Sequence, residues 1–321
     1  MIRQTSTYSE KFRRLELIQK RRVVGNSKGS ITLVDCTLRD GGYLNGHSFT
    51  DHQIEVILQI LSNSGVNYIE VGYFKRRNYD PRTPTIGQCP KQFLQSLPTL
   101  LSAEYLVMIP PDHVQVDDLK ELVGTKISGV RFTCSEGNIN TVSALGKRCK
   151  DLGLKTCANI IRISELNKTQ LRQMVRQLHA SGLDAIYAAD SNGALYPEQV
   201  AVIVNEIRNH YDGSIGFHGH DSIHLSVANA LAAIRAGATW IDGTIGGVGK
   251  GGGNAPIEVL LAQAAQSERR AIDIDGFATA LPYFDQDFFP NRFTERLNNV
   301  LYGIENLNLD AIKERQNPHL S

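Results

Sequence analysis

The stretch AIYAADSNGALYPEQVAVIVNEIRNHYDGSIGFHGH, residues 185–220, carries the reading of the fold. It opens on Ala185–Asp190 and closes on Ile215–His220, two short and mostly apolar runs that predict strands. Between them Val200, Ile203, Val204 and Ile207 fall at i, i+3, i+4 and i+7, the apolar stripe of an amphipathic helix. Pro197 stands near its first turn, where a missing N–H has no helical partner to lose. A helix joining two such strands makes a parallel βαβ unit, with both strand faces buried.

Working outward, the same unit recurs at spacings of roughly 20 to 35 residues. Strands are predicted at Ile31–Thr37, Tyr68–Phe74, Tyr105–Ile109, Ile127–Cys134 and Lys155–Ile160 before the quoted pair, and at Trp240–Ile245 after it. After the first strand, Ile54, Ile57, Leu58 and Leu61 repeat the helical stripe, with Thr50 or Asp51 as N-cap and Gly65 as stop. After the fifth, Leu171, Met174, Val175 and Leu178 do the same and Gly182 ends the run. Eight such units close a (β/α)8 TIM barrel. A doubly wound open sheet is the competing α/β fold, but it usually has fewer strands and does not gather functional residues after strands one, seven and eight. The domain reading is a barrel over residues 30–265, an N-terminal extension at 1–29 and a helical C-terminal extension at 266–321. Lys11–Arg22 predicts an amphipathic helix with Phe12, Leu15 and Ile18 on one face. The C-terminal stretch with Phe284, Phe288, Phe289 and Phe293, then Leu297, Leu301 and Ile304, fits either a barrel cap or a homodimer contact.

Composition excludes several functions. Lys+Arg number 34 against 33 Asp+Glu, so the chain lacks the basic excess of a nucleic-acid or membrane-surface binder. No apolar run reaches the roughly 18 residues of a membrane span, and the first 25 residues hold no signal-peptide core. The five cysteines are odd in number and include no CxxC, which argues against a disulfide framework and a thiolate zinc site. A reducing, cytoplasmic setting is the expectation.

Barrel active sites lie where the strands end. The polar residues expected there are Arg39, Asp40, Tyr43 and His47 after strand one, Glu70 on strand two, Arg131 on strand four, Asn159 on strand five, Ser191 after strand six, His218 and His220 on strand seven, and Asn254 after strand eight. His218 and His220 are the sharpest element. Residues i and i+2 of a strand share a face, so two imidazoles can bind one divalent ion, or serve as core or surface histidines. Asp40 would supply a carboxylate, and two His with one carboxylate leave positions open for substrate. As an alternative, Asp40 is a turn residue before Gly41 and Gly42. Arg39 beside it suits a bidentate grip on a carboxylate or enolate oxygen, or an internal ion pair. Asn254, ahead of Ala255 and Pro256, is read as a helix N-cap or a contributor to the metal site.

The run Gly246–Gly253 matches GxGxxG at Gly247, Gly249 and Gly252, but it follows the last strand with no further βαβ unit. Walker A fails, since Thr244 and Gly251 stand where its first Gly and its Ser/Thr belong. The loop instead suits close backbone approach to a ligand or closure over it.

These elements together resemble the DRE-TIM metallolyase (HMGL-like) superfamily, and most closely its 4-hydroxy-2-oxovalerate aldolase-like branch. The matching stretches are DCTLRDG (35–41), VNYIEVG (66–72), AADSNG (188–193), FHGH (217–220) and GKGGGNAPIE (249–258), with the helix LSVANALAAIRA (225–236). The resemblance implies that Asp40, His218 and His220 bind Mn2+, or else Mg2+, Co2+ or Zn2+. It implies that Arg39 stabilises an enolate, that Asn254 lies near the metal and that Ser191 touches the bound 2-oxo acid. Glu70, Arg131 and Asn159 are further substrate-binding candidates.

One position departs from the pattern. Tyr43 stands where the aldolases carry a catalytic His, and a phenol is the poorer base at neutral pH. His47, four residues on, is the other candidate base. The family's C-terminal domain, which docks an aldehyde dehydrogenase and supplies a Tyr, is shortened here, with Tyr302 as the candidate for that Tyr. The implied activity is a metal-dependent carbon–carbon lyase acting on a 2-oxo acid and an aldehyde. The alternatives are a Claisen-type acyl-CoA/2-oxo acid acyltransferase sharing the same ligands, and an inactive barrel serving as a binding subunit.

Overall fold

Eight parallel strands close into one barrel in chain order: β1 (Thr32–Asp35), β2 (Tyr68–Tyr73), β3 (Glu104–Ile109), β4 (Ile127–Cys134), β5 (Lys155–Ile160), β6 (Ala185–Asp190), β7 (Ser214–Gly219) and β8 (Trp240–Gly243). The computed structural model describes residues 31–78, 80, 82–100, 102–268, 302 and 305–316. The helix expected at Lys11–Arg22, the aromatic stretch Phe284–Phe293, and Leu297, Leu301 and Ile304 lie outside the described residues. No helix among the described residues is long and apolar enough to cross a membrane.

The principal helices are α1 (Asp51–Ser64), the short α2 (Thr85–Gln88) and α3 (Lys91–Ser96), α4 (Ile139–Asp151), α5 (Lys168–Ala180), α6 (Pro197–Arg208), α7 (Ser226–Ala236), α8 (Ile257–Glu268) and α9 (Leu309–Gln316). The N-cap of α1 is Thr50, whose hydroxyl accepts from the Gln53 amide while the Gln53 side chain accepts from Thr50. This closed capping box satisfies two end donors of the helix. Gly65 ends α1 in the left-handed conformation, and Pro197 occupies the first turn of α6.

Four strands stop short of their expected bounds at the mouth, β2 by a single residue at Tyr73. β1 stops at Asp35 because the Asp35 carboxylate accepts from the Thr37 amide and hydroxyl, both at 2.8 Å, and turns the chain out of the ladder. β8 stops at Gly243, and Ile245–Gly247 forms a 3-10 turn instead of strand. β7 stops at Gly219, and His220 pairs only through an isolated bridge to Asn254.

Two apolar clusters follow from strand alternation. The large one lies between strands and helices. A smaller one of Val34, Cys36, Tyr68, Leu106, Cys157, Ala185, Tyr187 and Trp240 fills the barrel interior. Within it Tyr68 stacks on Trp240 at 4.8 Å. At the mouth, part of the C-terminal extension docks on the β5 and β6 loops. Asn192 Nδ2 donates to Asn306 Oδ1 at 2.9 Å, and Arg162 pairs with Asp310 of α9 at 2.7 Å.

Candidate metal centre and active site

The site grows from the loop that Asp35 and Thr37 turn out of β1. Thr37 Oγ1 accepts from the Ile245 amide, tying this loop to the one after β8. Asp40 thereby faces β7. Ligand atoms of Asp40, His218 and His220, all buried, lie within 4.8 Å of one another. His218 Nε2 is 3.7 Å from Asp40 Oδ2, and the two imidazole rings meet edge to face at 5.1 Å.

The protons on these imidazoles are set by their other neighbours. His218 Nδ1 lies 2.9 Å from Asp242 Oδ2, so the proton sits on Nδ1 and Nε2 keeps its lone pair. His220 Nδ1 donates to the carbonyls of Lys250 and Gly253, each at 3.1 Å, with the same consequence. Burial pulls the pKa of His220 down to about 4, more than the Asp40 charge raises it, so this imidazole is neutral. Burial alone would raise the Asp40 carboxyl. The Arg39 guanidinium, then His220 and His218, overcome that and hold it well below the usual carboxylate range. The ring nitrogens Nε2 of His218 and His220 and an ionised carboxylate therefore converge, each with lone pairs available.

The fourth residue fits them. Asn254 Nδ2 donates to Asp40 Oδ1 at 3.0 Å and to the Val248 carbonyl at 3.2 Å, which leaves its buried Oδ1 with no partner among the described residues. A buried acceptor without a donor is costly unless something else satisfies it, and a cation beside Asp40 would. The Gly-rich loop presses on the same point. A Cβ on Gly249 would come within 2.0 Å of Asn254 Nδ2 and 2.8 Å of Asp40 Oδ1, so only glycine lets the backbone pass.

Below the cluster lies a second charged layer. Arg39 Nε donates to Glu70 Oε2 at 2.6 Å, and its Nη1 bonds Asp40. Arg131 is fully buried, lies over the Tyr187 ring at 4.3 Å, bonds Asp242 and sits 3.3 Å from Glu70. Burial would lift the Asp242 carboxyl, but Arg131 and then His218 outweigh it and keep it ionised. A chain of charge thus runs from Asp40 through Arg39, Glu70, Arg131 and Asp242 to His218. Of the sequence candidates, Arg39 reaches the cluster directly. Glu70 and Arg131 are committed to one another beneath it, although Glu70 Oε1 is buried and unpartnered. Asn159 on β5 likewise has a buried, unpartnered Oδ1. Ser191 sits after β6 with its hydroxyl accepting from the Arg162 amide at 3.0 Å.

The two candidate bases share one aromatic group. Tyr43 and Tyr73 hydroxyls are 2.8 Å apart, and the His47 ring packs edge-on against both, at 5.1 and 5.6 Å. His47 Nε2 lies 3.1 Å from the Arg39 carbonyl and so carries the proton, which leaves Nδ1 as an acceptor. Burial lowers the pKa of His47, partly offset by that hydrogen bond. Tyr73 reaches the mouth through a register irregularity between Glu70 and Tyr73 in the β2–β3 ladder, where Gly72 has φ 151.

Asp242, Tyr73 and Lys250 are absent from the sequence candidates. Asp242 had a usable signal, an acidic residue two positions after Trp240 on a predicted interior-facing strand. Tyr73 had its position near the end of predicted strand two, but its aim depends on the bulge.

Comparison with known proteins identifies the family and the fold. A family model described as HMGL-like matches residues 30–279. A 4-hydroxy-2-oxovalerate aldolase of Mycobacterium avium (strain 104) is 31% identical over 268 residues, covering 81% of this chain and 73% of the relative. One from Bacillus thuringiensis (strain Al Hakam) is 28% identical over 250 residues, covering 74% and 70%. In fold, the chain is similar to the N-terminal domain of a candidate aldolase from Bacteroides vulgatus, with TM-score 0.79 and 24% identity over 90% of this chain and 98% of that one. It is also similar to the HMG-CoA lyase of Bacillus subtilis, with TM-score 0.69 and 17% identity over 85% and 99%. A match across the whole barrel, at these identities, places the chain: it belongs to the HMGL-like family and is an enzyme of the carbon–carbon lyase type.

Proposed function

We propose that the chain is a divalent-metal-dependent aldolase that makes or breaks a carbon–carbon bond next to a 2-oxo acid. The observation that carries this is the buried set Asp40, His218 and His220, with the orphaned Asn254 Oδ1 beside it. Its donor set of two nitrogens and two oxygens suits Mn2+ first, with Mg2+, Co2+ or Zn2+ as substitutes. A metal held there would act as a Lewis acid toward the keto and carboxylate oxygens of the 2-oxo acid.

The chain's own residues supply the rest. Arg39 is clamped through Nε and Nη1 by Glu70 and Asp40, which leaves its Nη2 edge for the oxygen on which enolate charge develops. Preorganisation is what gives such a donor its value, because no reorientation is needed as charge appears. In the cleavage direction His47 Nδ1 or Tyr43 takes the hydroxyl proton of the 4-hydroxy-2-oxo acid. Ser191 and Asn159 would contact the bound 2-oxo acid. The catalytic unit is the barrel of residues 30–265, with the extensions 1–29 and 266–321 flanking it. The substrates are a 2-oxo acid and an aldehyde.

The test is bound-metal analysis with an assay of pyruvate release from a panel of 4-hydroxy-2-oxo acids. Asp40→Ala and His220→Ala are expected to lose both metal and turnover. Wild type that binds no divalent ion, with both variants unchanged, would falsify the reading. Thiol release from acetyl-CoA with 2-oxo acids, in place of pyruvate release, would shift it to Claisen chemistry.

A further inference from the structure

Lys75 stands just past β2, at the edge of the aromatic group. The register irregularity turns both Glu70 and Tyr73 toward the barrel interior, although they are an odd number of residues apart. Beyond it alternation resumes. Phe74 joins the apolar shell between strands and helices, and Lys75 returns to the Tyr73 side. Its ammonium lies 4.6 Å from the centre of the Tyr73 ring, whose hydroxyl meets that of Tyr43 at 2.8 Å. Tyr43 is 43% exposed, so this rim opens to solvent. The neighbouring cations are paired. Arg39 has Asp40 and Glu70, while Arg76 has Glu121 at 2.9 Å, the Gln88 and Cys89 carbonyls and the Phe74 ring. The half-buried Lys75 ammonium has the Tyr73 ring, and makes no ion pair or hydrogen bond among the described residues. A ring face attracts and orients an ammonium without neutralising it. A partly desolvated cation is thereby held ready for an anion from outside.

We propose that Lys75 binds an anionic group at the far end of the acceptor, so that the aldehyde partner carries a carboxylate or a phosphate. This rests on the lyase reading above. In that reading His47 or Tyr43 takes the proton of the hydroxyl that becomes the aldehyde oxygen, so the acceptor carbons lie against the aromatic group. Lys75 adjoins that group through Tyr73. The 2-oxo acid belongs to the other side. Its oxygens face the metal ligands and Arg39, and its further contacts, Asn159 and Ser191, stand on β5 and after β6. In a closed ring of eight strands β6 is opposite β2, which sets Ser191 and Lys75 on opposite sides of the mouth. A charge-assisted contact at Lys75 would select acceptors by charge rather than by length.

The experiment supplies the Mn2+-loaded full chain with pyruvate and two acceptor pairs: butanal against succinic semialdehyde, and glyceraldehyde against its 3-phosphate. Wild type is expected to favour at least one anionic member by about tenfold or more in kcat/KM, and the pair that shows it tells carboxylate from phosphate. Lys75→Met and Lys75→Gln should each lower that ratio by about tenfold, and Lys75→Arg should keep most of it. Equal Mn2+ content and urea midpoints guard against a disturbed rim. Calorimetric titration of oxalate, which mimics the enolate half, reads the other side of the site. A ratio unchanged in Lys75→Met and Lys75→Gln, or a preference for neutral acceptors, overturns the proposal. So does a loss of oxalate affinity with the ratio unchanged, which would assign Lys75 to the 2-oxo acid. A moved acid limb of turnover with the ratio unchanged overturns it too, and would leave Lys75 acting on His47 alone. If wild type turns over no pair and cleaves no 4-hydroxy-2-oxo acid, the lyase reading fails. Calorimetry of the same aldehydes on wild type and Lys75→Met then still decides the anion site: a charge preference lost in the variant supports it, and none in wild type, or one kept in the variant, overturns it.

Discussion

Two charged layers share the barrel, and they are built on opposite rules. In the lower one, Glu70, Arg131 and Asp242 are almost fully buried, and the Arg131 charge is shared by both carboxylates. At the mouth, His218 Nε2, His220 Nε2 and Asn254 Oδ1 are equally buried but keep lone pairs that no donor among the described residues uses. Desolvation is costly in both layers. In the lower layer the ion pairs offset that cost within the protein, although Glu70 Oε1, Arg131 Nε and Asp242 Oδ1 have no hydrogen-bond partner among the described residues, and the layer acts as a scaffold. At the mouth the offset is left to a ligand.

Substitution should separate the two layers. Asp40→Asn removes a ligand charge while Glu70 still holds Arg39. It is expected to abolish tight Mn2+ binding and to cut turnover by about 10³ or more, the equivalent of several kcal/mol. Arg131→Met removes the shared cation, leaving Glu70 with Arg39 alone and Asp242 with His218 alone, and should cost about 3–5 kcal/mol of stability. Urea unfolding of the metal-free proteins and Mn2+ titration measure the two effects. If Asp40→Asn unfolds the protein as readily as Arg131→Met, the contrast between scaffold and site collapses.

The aromatic group sharpens the mouth further. A base must be unprotonated to act, and burial places the folded pKa of His47 below its ordinary 6.5. Turnover should therefore stay level as pH falls to about 6.5 and drop only below that, as His47 gains its proton. His220, pulled down to about 4 by burial, stays neutral over the pH range around 6.5 where this limb begins. His47→Asn is expected to remove this acid limb and lower the plateau by about 10²-fold, while Tyr43→Phe keeps the limb. A limb that survives in His47→Asn would transfer the role to Tyr43.

Much of this was legible in residues 185–220 and in the stretches that resemble them. Strand periodicity predicts His218 and His220 on one face, and their convergence holds although β7 ends at Gly219 and His220 is placed by its bridge to Asn254. Asp40 and Arg39 were legible because barrel sites lie at strand ends. What stayed hidden depends on distant pairing. Whether Arg131 meets substrate or Asp242 is decided by two side chains 111 positions apart in the chain. Tyr73 is aimed by a local slip in register that alternation does not announce. Asn254 admits two roles from sequence, and only its contact with Asp40 shows an amide whose oxygen is left over.

Asp242 tests the joint between the layers, since it touches both Arg131 and His218. Asp242→Asn keeps the shape but removes the charge that fixes the His218 proton on Nδ1. Metal affinity should fall by about 10–100-fold, the usual cost of losing an orienting partner behind a ligand. An affinity equal to wild type would mean that the lower layer supports the fold alone.

The smallest effect is expected at Gly249, where the contrast becomes geometric. No charge changes in Gly249→Ala, and every ligand remains. The added methyl would meet Asn254 Nδ2 at 2.0 Å and Asp40 Oδ1 at 2.8 Å, so the loop must retreat or the amide must turn. Either response moves Asn254 Oδ1 off the shared point, yet the lower layer touches none of these atoms. Stability should therefore change little, while Mn2+ affinity drops by about tenfold, less than the ~10²-fold that a full 1 Å displacement can cost. Gly253→Ala is the harsher neighbour. Its φ of +90 forces strain, and its Cβ would strike the Gly247 carbonyl at 2.2 Å, so loop and metal should fail together. If Gly249→Ala bound Mn2+ as wild type does, the Gly-rich loop would lie close to the metal ligands without shaping them, and Asn254 would owe its place to α8 instead.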